Sequence, residues 1–155
     1  MDKEKIFDSL IGKVGAILKS EKENRSKLEM ICKLLKHNIP GYDWVGFYLV
    51  DPNKNKELIL GPYVGSPTEH VRIPFGQGIC GRAADIGKTV LVSDVSEENN
   101  YLSCSPEVKS EIVLPIFREN RLVGELDIDS HERSAFTEKD ERFLTKICDY
   151  ASELI

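Results

Sequence analysis

Two β-rich runs near the C-terminus, SEIVLPIFR at 110–118 and RLVGELDIDS at 121–130, are separated only by Glu119-Asn120. A two-residue connection of this kind, with an Asn that tolerates the left-handed conformation, predicts an antiparallel hairpin. Within GELDIDS the side chains alternate, so Leu126 and Ile128 face one side of the sheet while Asp127 and Asp129 face the other. The two carboxylates then stand roughly 6–7 Å apart along the strand. Asp is depleted in strands, and a pair in a hydrophobic hairpin is either a solvated sheet face or the lining of a site. Glu111, on the partner strand, adds a third carboxylate to the same region. Such a trio suits a divalent metal or an organic cation such as an amino-acid ammonium, and charge alone does not choose between them.

The rest of the chain builds around this hairpin. Residues 2–19 carry Ile6, Phe7, Leu10, Ile11, Val14, Ile17 and Leu18 at helical spacing. A second helix follows the polar break at Ser20, with Leu28, Ile31, Cys32, Leu34 and Leu35 as its apolar stripe, and ends before Ile39, which precedes Pro40. YDWVGFYLV, the turn residues DPNKNK and ELILG read as strand, turn and strand. Short extended pieces at 70–73 and 89–92 flank a short helix at 79–85, and a long loop runs from 94 to 109. Thr137, with Asp140 three residues on, starts a last helix whose buried face is Phe143, Leu144, Ile147, Cys148, Ala151 and Leu154. The order predicts an α+β fold: a mainly antiparallel sheet of about six strands flanked by N-terminal and C-terminal helices, with 1–155 as a single domain.

Charge and cysteine usage narrow the function. The net charge of −5, with no long Lys/Arg run, argues against nucleic acid as a partner. The leading MDKEKIFDSL mixes both charge signs, and no apolar run is long enough to span a bilayer, so neither a signal peptide nor a membrane segment is expected. A cytoplasmic, reducing location follows as an expectation, and there a disulfide is more often chemistry than scaffold. Of the four cysteines, Cys32 and Cys148 fall on apolar helix faces and read as packing residues.

The other two can carry chemistry. Cys104 lies in the long loop, and the following Ser105-Pro106-Glu107 has the pattern of a helix start, which would lower the thiol pKa; the alternative is an idle surface cysteine. Cys80 lies in RIPFGQGICGRA, as a small buried residue in a glycine-rich turn or as a redox partner. As a phosphate cradle that turn lacks the Lys-Ser/Thr of a P-loop. His70 and His131 could complete a soft-metal set with Cys80 and Cys104, but no CxxC or HxxxH spacing exists, and no metal or other cofactor is expected. Trp44 shares a strand face with Gly46 and Tyr48, as a core residue or as the flat wall of a pocket for an apolar or thioether group.

DWVGFYLV, LGPYVG, VRIPFGQGICGRAA, SEIVLP, LVGELDIDS and FTEKDE, in this order, resemble the free methionine-R-sulfoxide reductases, small stand-alone GAF-domain enzymes. The resemblance implies a GAF-like fold and reduction of the R epimer of free methionine sulfoxide. It matches Cys104 to the catalytic cysteine and Cys80 to a second redox cysteine. Glu111, Asp127 and Asp129 match the substrate-pocket carboxylates, and Trp44 an aromatic wall near the substrate methyl. A thiolate attacking the sulfoxide sulfur, with a carboxylic acid donating the proton, suits these residue types. The resemblance further implies a sulfenic acid, a disulfide, recycling by thioredoxin and, by analogy, a homodimer through the N-terminal helices.

One position departs from the pattern. Many family members carry a cysteine just before VRIP, commonly the partner of the catalytic one, where this chain has His70. Either Cys80 resolves Cys104 or an external thiol does. The rival expectation is a non-catalytic GAF module that senses a small ligand, since folds of this kind host both roles.

Overall fold

The computed structural model of the protein describes residues 2–99, 101 and 106–155. Helices α1 (Lys3–Lys19) and α2 (Asn24–Asn38) lead into strands β1 (Trp44–Val50), β2 (Glu57–Val64) and β3 (Arg72–Pro74). Helix α3 (Gly78–Ile86) and strand β4 (Val90–Val92) follow, then the hairpin β5 (Ser110–Arg118) and β6 (Arg121–Ser130), and finally α4 (Glu138–Ala151). All strand pairs are antiparallel, in the order β3-β2-β1-β6-β5-β4, so the predicted α+β architecture with a six-stranded sheet holds.

The β5–β6 turn forms as expected, with Glu119 and Asn120 at φ 52° and 64°. Two successive left-handed residues give a turn whose twist matches that of the flanking strands. The alternation of β6 then sorts the molecule into layers. Leu126 and Ile128 join Val45, Phe47, Ile112 and Leu114 in a core beneath α1, α2 and α4. The opposite sheet face packs Trp44, Tyr48 and Val113 against Ile79, Cys80 and Ala83 of α3. Cys32 and Cys148 are buried in the first layer, where burial pushes both thiols up out of reach of ionisation. They pack, as their helical spacing predicts.

The loop before β5 differs from the sequence expectation. Pro106 and Glu107 form a turn, and Val108 and Lys109 lead directly into the strand, so Pro106 and Glu107 do not open a helix. The sheet captures this backbone instead: Lys109 N–H donates to Ser130 O at 2.8 Å, and Val95 N–H donates to Lys109 O at 2.9 Å. Cys104 and Ser105 lie outside the described residues.

The helical layer is tied to the sheet through one buried carboxylate. Asp140, at the third position of α4, closes the capping box with Thr137 and accepts from Tyr42 Oη at 2.7 Å and from Lys3 Nζ at 2.8 Å. Burial would raise its pKa, but the hydrogen bonds from Lys3, Tyr42 and Thr137 outweigh it and hold the carboxyl below the usual range. Asp140→Ala removes a cap and leaves a buried hydroxyl and an ammonium without their acceptor. It should destabilise the protein by about 2–4 kcal/mol in urea unfolding. Because the folded pKa is depressed, this contribution is present above the unfolded value of about 4 and is lost as pH falls through the folded value. The gap between wild type and Asp140→Asn should therefore narrow in acid.

Candidate functional site

The acidic face of β6 looks into a small cavity between the sheet and α3. Trp44 and Tyr48 of β1, Glu111 of β5, Asp127 and Asp129 of β6, Cys80 at the start of α3, and His70 line it. Strand register brings them together: Glu111 pairs with Asp129, Trp44 with Asp129, and Gly46 with Asp127. All three carboxylates named from the sequence are buried, and the Cys80 thiol donates to Asp127 Oδ2 at 3.3 Å. Among the described residues no Lys or Arg lines this cavity. Five of the six residues expected at a site therefore converge, and Cys104 is the one that lies outside the described residues.

Glycines allow the walls to close. A Cβ on Gly46 would stand 2.5 Å from the Trp44 ring, so only glycine lets the indole fold flat along its own strand. The ring stacks on Tyr63 at 5.3 Å between centroids, sits 6.4 Å from Tyr48, and donates its N–H to Ser66 O at 3.0 Å. A Cβ on Gly81 would lie 2.6 Å from Pro74 O, so glycine also lets α3 press its first turn onto the end of β3. That turn points Gln77, Gly78, Ile79 and Cys80 at the cavity, and the leading N–H groups of a helix have no partner within it.

Burial and crowding raise the proton affinity of Glu111 and Asp127. Desolvation, then the charges of Asp127 and Asp129 and hydrogen bonds to both, raise the Glu111 pKa well above its ordinary value. Desolvation raises Asp127 too, while hydrogen bonds from Glu111 and Cys80 pull it back. Burial and the charges of Asp127, Glu111 and Glu125 push the Cys80 thiol far up, so in this state it is a thiol and not a thiolate. The Tyr48 hydroxyl, also raised by burial and these acids, donates to His70 O at 2.8 Å. His131, considered with His70 as a ligand, sits apart on the surface near Asp43 and Glu107 at 3.8 Å each.

Glu125 is a further acid of this region, one that its sequence context did not single out. The alternation that pairs Asp127 with Asp129 puts it on the same face, opposite Tyr48 and Pro115, and it is fully buried with no hydrogen-bond partner for either oxygen among the described residues. Burial and the charge of Asp127 raise its pKa well above normal. The unfolded carboxyl ionises near about 4.3 and the folded one does not, so its effect on stability worsens as pH rises, by up to about 1.4 kcal/mol per pH unit. Glu125→Gln carries no charge at any pH. Its melting temperature relative to wild type should climb from pH 5 to pH 8 in thermal denaturation, whereas a constant offset would mean that Glu125 is ionised in the fold.

Residues 27–155 match the GAF domain family. The free methionine-R-sulfoxide reductase of Escherichia coli strain K12 is 33% identical over 147 residues, covering 95% of this chain and 87% of that protein. The crystal structure of the free methionine-R-sulfoxide reductase of Neisseria meningitidis in complex with its substrate superposes with a TM-score of 0.92 at 34% identity, over 99% of this chain and 90% of that one. The type II free methionine-R-sulfoxide reductase of Thermoplasma acidophilum superposes at 0.80 with 39% identity, over 84% and 91%. With a GAF family match over most of its length and near full-length likeness to these reductases in sequence and in structure, the chain belongs to the free methionine-R-sulfoxide reductase family of GAF domains.

Proposed function

We propose that this protein reduces free methionine-R-sulfoxide to methionine. The observation that carries this reading is the buried trio Glu111, Asp127 and Asp129 in a cavity without a basic side chain among the described residues, closed by Trp44 and Cys80. A carboxylate set of this kind is built for an ammonium group, which free methionine sulfoxide has and a residue within a polypeptide lacks. The first-turn N–H groups of α3 are suited to the substrate carboxylate at the other end. The Trp44 face suits the methyl group on the substrate sulfur. Names and structures of relatives support the same substrate.

Chemistry follows from the protonation states. The Cys104 thiolate attacks the sulfoxide sulfur, and the Glu111–Asp127 pair, which retains a proton, delivers it to the departing oxygen. The oxygen ends on Cys104 as a sulfenic acid while the substrate gains two electrons and leaves as methionine. Asp127, now a carboxylate, can relay the proton of Cys80 at 3.3 Å to the hydroxide that this thiol displaces from the sulfenic acid, giving a Cys80–Cys104 disulfide and water. A dithiol such as thioredoxin returns two electrons and two protons.

Incubation with each methionine sulfoxide epimer and a dithiol reductant tests the assignment. Only the R epimer should be consumed, Cys104→Ser should abolish turnover, and Asp127→Asn should slow it by about a hundredfold or more. Consumption of neither epimer, or full activity in Cys104→Ser, overturns the reading. The resetting step has its own readout. After turnover without reductant, disulfide mapping by mass spectrometry should find Cys80 linked to Cys104, and a Cys80 that remains a thiol would assign the step to an external thiol.

A further inference from the structure

The carboxylate cavity carries a second kind of ligand chemistry. Cys80 Sγ and one oxygen each of Glu111 and Asp127 lie within 4.8 Å of one another, all three residues buried. The separation of Cys80 Sγ from Asp127 Oδ2 is 3.3 Å. Two ligands at the usual Zn–S and Zn–O distances in tetrahedral geometry stand about 3.5 Å apart, so the pair already has the bite of a zinc site. The remaining oxygen of Asp127, Oδ1, is buried with no hydrogen-bond partner among the described residues, in a residue only 5% exposed that lines the cavity. Among the described residues no cationic Lys or Arg competes for the place.

We propose that Cys80, Glu111 and Asp127 bind a thiophilic divalent cation of the zinc class when the protein is reduced. A thiolate and two carboxylates make a mixed sulfur-oxygen donor set. Zn²⁺ tolerates such a set, whereas Mg²⁺ and Ca²⁺, which require oxygen ligands, do not favour it. Occupancy would remove both the ammonium-binding carboxylates and the Cys80 thiol from use, which makes the cation an inhibitor competing with substrate. That regulatory consequence rests on the proposed function, while the binding itself does not. Oxidation of Cys80 would abolish the site, so bound metal also marks the reduced state.

Titration of the reduced full-length protein with Co²⁺ alone, as a spectroscopic stand-in for Zn²⁺, tests the site without reference to turnover. One equivalent should give a thiolate-to-cobalt charge-transfer band in the near ultraviolet, displaced by Zn²⁺ and unaffected by excess Mg²⁺. Cys80→Ser should lose the band, and Glu111→Gln should keep it with affinity weakened more than about tenfold. Near-ultraviolet circular dichroism verifies that each variant is folded, and Glu111→Gln provides the test should Cys80→Ser fail that check. Absence of the band in wild type, its persistence in folded Cys80→Ser, or unchanged affinity in Glu111→Gln overturns the proposal. If neither epimer is reduced, the functional reading fails while the cobalt titration still decides the metal site. If turnover is normal and no band forms, the metal site alone fails.

Discussion

Everything in this fold depends on the register of β6 between β1 and β5. The strand lies inside the sheet with apolar layers on both faces, and its period-2 alternation sends Leu126 and Ile128 into one layer and Glu125, Asp127 and Asp129 into the other. A slip by one residue would turn the acids into the helical core and the aliphatic side chains into the cavity. The correct register also sets Glu111 opposite Asp129 and Gly46 opposite Asp127. Sheet pairing and site assembly are therefore the same event.

Two kinds of buried carboxylate serve different ends. Asp140 is paired and hydrogen-bonded, so its charge is stabilised and it clamps Lys3, Tyr42 and the first turn of α4 together. Among the described residues no Lys or Arg lines the cavity, and burial holds Glu111 and Asp127, with Glu125 further along β6, towards their neutral forms. Neutral buried acids are proton donors and latent cation ligands, at a cost in stability that the apolar core beneath α1, α2 and α4 offsets. A site of this type gains its binding power from the same desolvation that makes it unfavourable when vacant of positive charge.

Much of this was legible in the chain, because periodicity reports burial. The helical stripes of α1, α2 and α4, the hairpin at Glu119-Asn120, and the packing roles of Cys32 and Cys148 follow from residue spacing. Local pattern failed at Pro106-Glu107, where a helix-start signal sits beside a strand whose pairing claims the backbone from Lys109 onward. It also stopped short at Glu125, since alternation gives the face of a residue but not its depth, and a glutamate next to Gly124 reads as readily as a rim residue.

The sequence by itself determined the order of elements, the face on which each acid stands, and the packing roles of Cys32 and Cys148. Only the tertiary structure decided that the acids are buried, that Cys80 reaches Asp127, and that Trp44 folds over Gly46 to wall the cavity. The division has a physical cause. Facing is fixed by backbone geometry between near neighbours, whereas burial, proton affinity and the meeting of Cys80 with Asp127, 47 positions apart, depend on what the rest of the chain brings against that face.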